Sequence, residues 1–202
     1  MTKKDAKTKI LEAALPDVAF DGWTEELLRL AAKKTNASAE KEFPDGITGL
    51  IHHFSVWADA EMIAKLDKAK NTDARIRDKV TLRIRDKVTS GVRTRLEILY
   101  PYKQAVSSSL AYMSRPPRNF ILPKLVWQTA DHIWQYAGDT STDYNRYTKR
   151  ALLSGVITAT TLYWLNDTSK NSESTWEFLD RRIDNVLRLG QKISAFTGKK
   201  RA

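Results

Sequence analysis

The chain has 202 residues and no cysteine, which excludes disulfide bonds and thiolate metal sites. Lys and Arg outnumber Asp and Glu by 34 to 24, and the formal net charge of +10 suits an anionic partner such as nucleic acid or an acidic membrane surface. Eight Gly and six Pro are few for this length, and runs of alternating apolar and polar residues are lacking, so we predict an all-α domain.

Apolar residues recur at spacings of three and four nearly throughout the chain, and this pattern predicts about nine helices. Thr24 is expected to cap the second helix, and Asn36 with Ser38 to form a turn before the third. Ser174 with Glu177 matches the capping box of a last helix. The predicted helices are residues 5–20, 24–34, 38–42, 46–67, 73–99, 102–113, 120–137, 142–166 and 174–196.

Residues 75–81 are repeated without change as residues 83–89. The shift of eight residues is not a helical period, because it turns the second copy by about 80° around the axis. The alternating charges favour one lengthened surface helix with a solvated face over a stripe that binds nucleic acid.

Residues 151–165 carry no charge and are mostly apolar, which predicts a central helix enclosed on nearly all sides. The run is shorter than the ~20 residues needed to cross a bilayer. Paired with residues 174–196, it could form half of an intersubunit four-helix bundle in a homodimer. Four small residues allow another helix to approach closely: Ser154, Gly155, Thr158 and Ala159.

Known catalytic patterns are missing from the sequence. The three histidines, His52, His53 and His132, lack the spacing that places two metal ligands on one helical face. Gly46 and Gly49 come without the lysine of a phosphate-binding loop, and residues 107–109 are serines without a nearby histidine and acid. We therefore predict no catalytic residue, no metal and no cofactor, and a protein that is not an enzyme.

Residues 134–150 combine four aromatic rings, two acids and a Gly-Asp turn around a predicted helix boundary. This composition is typical of a recognition surface, although a capped helix start with half-buried tyrosines would look the same. The two helices that flank the boundary are rich in large apolar side chains, which either surround an apolar cavity or fill the core. These side chains are Trp127, Ile133, Trp134, Leu152, Val156, Leu162, Tyr163 and Trp164.

The first sixty residues resemble the start of a TetR-type helix-turn-helix protein, through Ile10–Leu15, Phe20–Trp23 and Phe43–Asp45. The resemblance ends at the helix that would read DNA. Residues 38–43 are shorter than the usual recognition helix and include two glutamates, and carboxylates placed against phosphate oppose binding. A TetR-type DNA-binding transcriptional regulator is therefore the alternative function, and we do not expect DNA to be a partner.

From residue 10 to about 196 the chain resembles the accessory family of coenzyme Q (ubiquinone) biosynthesis usually called Coq-nine, which has a TetR-like fold. The resemblance implies a TetR-like helical bundle with a degenerate helix-turn-helix in residues 1–70, and a lipid-binding and dimerisation part in residues 71–202. The motifs that carry it are Gly22-Trp23, Arg93–Leu96, Tyr100–Tyr102, Trp134–Asp139, Ser141–Asp143, Asn145, Tyr147, Thr148, Arg150, Asp167, Thr175, Trp176, Phe178, Leu179 and Arg182.

The resemblance also implies a function without catalysis. Such a protein binds an isoprenoid quinone precursor or phospholipid, associates with the membrane surface, and presents the precursor to the di-iron demethoxyubiquinone hydroxylase. From the apolar side chains of the two flanking helices we expect the lipid-binding residues to be Trp127, Ile133, Leu152, Val156, Tyr163 and Trp164. The implied partner-binding residues are Trp134, Asp143, Arg146, Tyr147 and Arg150.

Two features depart from the family pattern. Arg146 stands where relatives often have an aromatic residue, and the chain stops at Ala202, before the long amphipathic helix of some relatives. We therefore expect weak membrane binding through Lys199, Lys200 and Arg201 and through apolar helix surface. Without a transit peptide, the expected location is cytoplasmic and peripheral to the inner membrane of a bacterial-type cell.

Overall fold

The computed structural model of the chain describes residues 5–73, 83–142 and 144–198, with side chains within 5–69, 83–142 and 145–189. These residues form α-helices and short 3₁₀ turns with no strand among them, which confirms the all-α prediction. The 3₁₀ turns are Tyr100–Tyr102, Arg118–Phe120 and Lys170–Ser172. The helices are α1 (Ala6–Ala14), α2 (Val18–Asp21), α3 (Glu25–Lys34), α4 (Ala39–Glu42), α5 (Gly46–Asp73), α6 (Ile84–Leu99), α7 (Lys103–Met113), α8 (Ile121–Ala137), α9 (Tyr144–Asn166) and α10 (Glu173–Gly198).

Local capping explains where the N-terminal helices begin. The side chains of Asp5, Thr24 and Ser38 accept hydrogen bonds from backbone N–H groups in the first turns of α1, α3 and α4. The predicted cap at Thr24 is thus confirmed, and Ser38, which was predicted to form a turn with Asn36, is the cap residue of α4. The single helix predicted over residues 5–20 is wrong: the chain forms α1 and α2 instead, because Pro16 lacks the N–H that would continue the hydrogen-bond ladder.

The chain divides into two compact units. One comprises residues up to Met62 together with Glu97–Leu125, and the other comprises Ile63–Leu96 with residues from Val126 onward. In the first unit, the buried Trp23 donates its indole N–H to the Ala105 carbonyl at 3.0 Å. The second unit has its own buried core, which includes Val92, Ile133, Leu153, Ile157, Trp164, Leu179 and Ile183. The predicted functional division after residue 70 stays a prediction.

The last helix is capped differently from the prediction. Because α10 begins at Glu173, Ser174 lies inside its first turn and cannot be the cap residue. The backbone N–H groups of Ser174 and Thr175 bond instead to Ser169 Oγ at 3.1 Å and to Asp167 Oδ2 at 3.0 Å. The capping box at Ser174 and Glu177 is therefore wrong, since residues before the 3₁₀ turn supply the acceptors.

The first copy of the repeat, residues 75–81, lies outside the described residues, and the second copy begins just before α6 and forms its first turns. Arg85 Nε donates to Asp184 Oδ1 at 2.8 Å, and Arg85 Nη2 lies 3.3 Å from Asp180 Oδ1 on α10. Val88 is buried. The prediction of a solvated face is therefore wrong for part of this copy, which packs and pairs within the second unit.

The prediction that residues 151–165 are enclosed on nearly all sides is also wrong within a single chain. The four residues Ala151, Gly155, Thr158 and Leu162 are exposed, and their spacing of three and four places them on one face of α9. The opposite face, with Leu153, Ile157 and Trp164, is buried. None of the described helices has an apolar stretch long enough to cross a membrane.

Candidate functional site

The junction between α8 and α9 is built on a buried arginine. The side chain of Arg150 is only 3% exposed. Its Nε donates to an oxygen of Asp131, and its Nη1 donates to Asp139 Oδ2 at 3.0 Å. Burial lowers the pKa of Arg150, but the hydrogen bonds from these two carboxylates outweigh it and raise the pKa. Arg150 therefore ties the end of α8 to α9 as a permanent cation.

Asp139 is the other centre of this cluster. Its side chain is 4% exposed and accepts hydrogen bonds from Lys149 Nζ at 2.6 Å and from Ser141 Oγ at 2.8 Å, besides the one from Arg150. Burial raises the pKa of Asp139, but the hydrogen bonds from Lys149, Ser141 and Arg150 lower it to about 2. Asp139 is consequently ionised at every pH at which the chain would work.

This pKa predicts a measurable acid dependence. The folded-state pKa of Asp139 lies below its ordinary value of 3.8, so its stabilisation is present above about pH 4 and is lost as the pH falls through 2. The shift corresponds to about 2 kcal/mol. We expect the difference in unfolding free energy between the native chain and Asp139→Asn, measured in urea, to shrink by that amount from pH 5 to pH 2. A difference that stays the same between pH 5 and pH 2 would contradict the assignment.

Trp134 is a buried member of the same cluster. Its indole N–H donates to the Lys149 carbonyl at 3.1 Å, and the Lys149 ammonium lies 5.5 Å from the centre of its ring. Because Trp134 is buried, its contribution to a partner surface would come through the position of Lys149. The composition of residues 134–150 thus reflects a packed polar cluster as well as exposed groups.

The exposed part of the junction is a smaller set, which we call the Tyr147 face: Trp127, Arg146 and Tyr147. Tyr147 is 61% exposed, and its ring centre lies 6.4 Å from that of Trp127. Arg146 is exposed and its Nη2 lies 3.7 Å from Asp131 Oδ1. Asp143, the remaining predicted partner residue, lies outside the described residues. The structure therefore brings exposed Arg146 and Tyr147 together above buried Trp134 and Arg150.

The predicted site residues did not include three members of this cluster, which are Asp131, Ser141 and Lys149. Lys149 and Ser141 are close to Asp139 in the chain, so the Gly-Asp turn was a usable signal for them. Asp131 is 19 residues from Arg150, and no local spacing connects these two side chains. Their ion pair follows only from the packing of the first turns of α9 against α8.

The predicted lipid-binding residues occupy several environments in the second unit. Ile133, Val156 and Trp164 are buried, and Trp127 and Leu152 are partly exposed. Tyr163 is exposed and stacks on Phe178, with 4.4 Å between ring centres. The buried members lie on the inner faces of α8 and α9, whereas Tyr163 covers the outside of α9 where it meets α10.

The interior of the second unit also contains polar atoms that its own residues leave unsatisfied. In the part of the chain that the structure describes, four buried side-chain oxygens of this unit have no hydrogen-bond partner. A buried polar atom without a partner costs about 1–3 kcal/mol, so each such atom requires an explanation. They are Thr89 Oγ1 on α6, Gln128 Oε1 on α8, and Ser154 Oγ and Thr160 Oγ1 on α9.

The helix-turn-helix-like segment of the first unit is short where DNA would be read. Helix α4 has only four residues, and two of them are Glu40 and Glu42. Hydrogen bonds from the Glu40 backbone N–H and from Ser38 lower the pKa of Glu40, so that its carboxylate stays charged. An anionic group at this position opposes contact with phosphate.

Comparison with known proteins gives both a fold and a family. The chain is similar to the crystal structure of a TetR transcriptional regulator from Nitrosomonas europaea, with a TM-score of 0.66 and 16% identity over 90% of this chain and 97% of that one. At this identity the likeness concerns the fold alone, and it confirms the predicted TetR-like bundle. The sequence model of the COQ9 family matches residues 122–190, which contain the α8–α9 junction.

Three relatives are named as mitochondrial ubiquinone biosynthesis proteins. COQ9 of Drosophila melanogaster is 32% identical over 97% of this chain and 60% of its own length, and COQ9 of Rattus norvegicus is 33% identical over 94% and 61%. The chain thus spans about three fifths of these two relatives. COQ9-B of Xenopus laevis is 31% identical over 98% of this chain and 69% of its own length. An identity of this size over nearly the whole chain shows that the chain belongs to the COQ9 family.

Proposed function

We propose that this chain is a lipid-binding accessory protein of ubiquinone biosynthesis. It takes an isoprenoid quinone precursor or a phospholipid from a membrane surface, holds it inside the second unit, and presents it to the demethoxyubiquinone hydroxylase. The chain itself performs no catalysis. The observation that carries the proposal is the set of four buried side-chain oxygens of the second unit that have no hydrogen-bond partner.

The chemistry of these oxygens fits a head group better than a hydrocarbon tail. The hydroxyls of Thr89, Ser154 and Thr160 are donors that suit the carbonyl, methoxy or ester oxygens of a quinone or phospholipid. Buried apolar side chains of α8 and α9, including Ile133, Val156 and Trp164, suit an isoprenoid or acyl chain. A ligand with a polar head group and an apolar tail would give these oxygens hydrogen-bond partners and would pack against the apolar side chains. Without such a ligand the oxygens stay unpaired.

The Tyr147 face supports the second part of the proposal. A large, exposed aromatic side chain beside an arginine is the composition of an interface hot spot, and the ion pairs of Arg150 hold it in position. It lies on the same two helices as the buried oxygens of Gln128, Ser154 and Thr160. We assign this face to the hydroxylase, so that binding of the partner and release of the lipid involve the same helices.

The exposed face of α9 supports a homodimer. Ala151, Gly155 and Thr158 are small, and Leu162 adds apolar area, so that a second copy of the helix could pack closely against this face. Burial of this face would restore the enclosure that the uncharged sequence of α9 leads one to expect. A monomer mass by analytical ultracentrifugation at micromolar concentration would contradict this part of the proposal.

Thr160→Val tests lipid binding directly. The substitution keeps the shape of the side chain and removes a buried hydroxyl that bonds to nothing in the protein, so the unfolding free energy should change by less than about 1 kcal/mol. We expect the amount of lipid that co-purifies, measured by extraction and mass spectrometry, to fall about fivefold, as one lost hydrogen bond implies. Ser109→Ala, which removes a buried hydroxyl from the first unit, is the control and should leave lipid content unchanged.

Two alternative functions, DNA binding and scaffolding without lipid, predict different experimental results. A DNA-binding regulator predicts salt-sensitive, sequence-selective shifts of duplex DNA, which the carboxylates of α4 argue against. A scaffold without lipid predicts that Val156→Trp, which fills interior space, leaves function intact if the fold survives. If repeated preparations of the native chain carry no lipid, and none is taken up from added membranes, the lipid-binding proposal fails.

A further inference from the structure

The connection between α7 and α8 presents an exposed phenylalanine in a cationic segment. Phe120 is 79% exposed at the end of the 3₁₀ turn Arg118–Phe120. Residues 98–125 of the first unit contain no Asp or Glu, whereas Arg115 and Arg118 precede Phe120 and Lys124 follows it. An exposed phenylalanine beside basic groups is the composition of a surface that enters the boundary region of a membrane.

The exposed position of Phe120 is held by hydrogen bonds within the connection. Arg118 Nε donates to the Tyr112 carbonyl at 3.3 Å, and the Arg118 guanidinium lies 4.3 Å from the centre of the Tyr112 ring. The Arg118 backbone N–H also donates to the Arg115 carbonyl at 2.9 Å. These contacts fix the turn against the end of α7, so the ring is displayed by an ordered segment.

A second exposed phenylalanine shows that exposure alone is not the signal. Phe20 is 90% exposed on α2, but Asp17 and Asp21 flank it in the sequence. Carboxylates beside an apolar side chain oppose contact with an anionic surface, and arginines favour it. Phe120 alone of these two has both the apolar side chain and the cations.

We propose that the tip formed by residues 114–120 is the point at which this chain contacts an anionic phospholipid bilayer, with Phe120 inserted at the acyl boundary and Arg115 at the headgroups. The proposal rests on the proposed function for the step in which lipid is taken from a membrane. The membrane-contacting surface would then be this tip, and not the C-terminal cations Lys199, Lys200 and Arg201.

Nucleic acid is a poorer fit to the same surface. A strand would need cations that continue as a track beside stacking rings. Here the guanidinium of Arg118 is already stacked on Tyr112. Lys124 lines a groove of about 340 Å³ together with Lys7, but Glu42 and Asp45 line it as well, so the groove does not continue the cationic segment as a purely basic track. A single exposed ring with nearby cations is suited to binding a bilayer, but not to binding a nucleic-acid strand.

The test is vesicle binding by the full chain. Phe120→Glu should weaken binding to phosphatidylcholine–phosphatidylserine vesicles about tenfold, because it removes the inserted ring and adds a charge of the wrong sign. Phe20→Glu introduces the same change at an equally exposed ring and should leave binding within about twofold, as expected for a surface site away from the contact. Arg115→Glu should also weaken binding, by about fivefold or more, and Lys33→Glu, an exposed charge reversal on α3, should have no effect. Thermal melting confirms that each variant is folded.

The outcomes separate this proposal from the proposed function. If Phe120→Glu binds vesicles as the native chain does, if Phe20→Glu is equally impaired, or if the native chain binds no vesicles, the membrane tip is wrong. Loss of duplex or single-stranded DNA binding in Phe120→Glu, with vesicle binding unchanged, would identify nucleic acid as the partner instead. The lipid content of the native chain reports on the proposed function separately, since Phe120 belongs to the first unit and the four buried oxygens belong to the second.

Discussion

Arg150→Leu is expected to destabilise the chain by about 3 kcal/mol or more, because breaking a buried ion pair leaves carboxylates without their partner. Asp139 would keep Lys149 and Ser141, and Asp131 would keep the hydrogen bond from Gln135 Nε2 at 2.7 Å and the longer contact to Arg146 at 3.7 Å. Both carboxylates would therefore stay removed from water, with fewer hydrogen bonds to offset the free energy of their desolvation. Unfolding in urea, monitored by circular dichroism, measures the effect.

Two variants bracket this prediction. Arg150→Lys keeps the charge but cannot bond to Asp131 and Asp139 through separate nitrogens, so an intermediate loss is expected. Arg146→Leu removes an exposed partner of Asp131 and should cost less than about 1 kcal/mol. If Arg150→Leu proves no less stable than Arg146→Leu, the cluster does not hold the junction together.

The position of Arg150 connects stability with the candidate site. Tyr147 lies three residues before Arg150, almost one turn earlier on α9, and Lys149 is bound to Asp139 and Trp134 between them. The first turns of α9 are thus attached to the end of α8 by side chains rather than by a short loop. A weakened cluster would loosen the Tyr147 face before it unfolds the unit. We therefore expect Arg150→Lys to impair partner binding more than its effect on stability suggests.

Local features of this fold could be predicted from the sequence. Thr24 and Ser38 cap their helices because the acceptor and the N–H groups that it binds lie within three residues of each other. The cap of α10 was missed because Asp167 stands eight residues before Thr175, across a 3₁₀ turn that local patterns do not indicate. The break at Pro16 was equally local, and the apolar spacing on both sides concealed it.

Side-chain burial at the site could not be predicted in the same way. Arg150 and Tyr147 are both polar or amphipathic residues at the start of one helix, yet the first is buried and the second is exposed. The difference depends on Asp131 of α8 and on Asp139 in the turn after α8, which both bond to Arg150. For residues 151–165 the burial was overestimated. Their uncharged composition predicts a helix buried on all sides, but one face, which carries mostly small residues, is exposed in a single chain.

Tyr147→Lys is expected to lower the affinity for the demethoxyubiquinone hydroxylase by about 30-fold or more, which is the loss of about 2 kcal/mol typical of an interface hot spot. The side chain is 61% exposed, and its ring contacts Trp127 without entering the core. The fold should therefore be unchanged, and so should the lipid content that the proposed function predicts. Titration of the purified hydroxylase with the full chain, followed by calorimetry, measures the affinity.

Tyr100→Lys is the matched control, because Tyr100 is 56% exposed and belongs to the first unit. If both variants lose binding equally, the loss reflects added charge and not the Tyr147 face. If Tyr147→Lys unfolds the chain, the ring is part of the packing at the junction, and the hydroxylase surface must be sought elsewhere. Arg146→Ala distinguishes further: an arginine that anchors the partner weakens binding without changing stability, whereas one that serves Asp131 alone leaves binding intact.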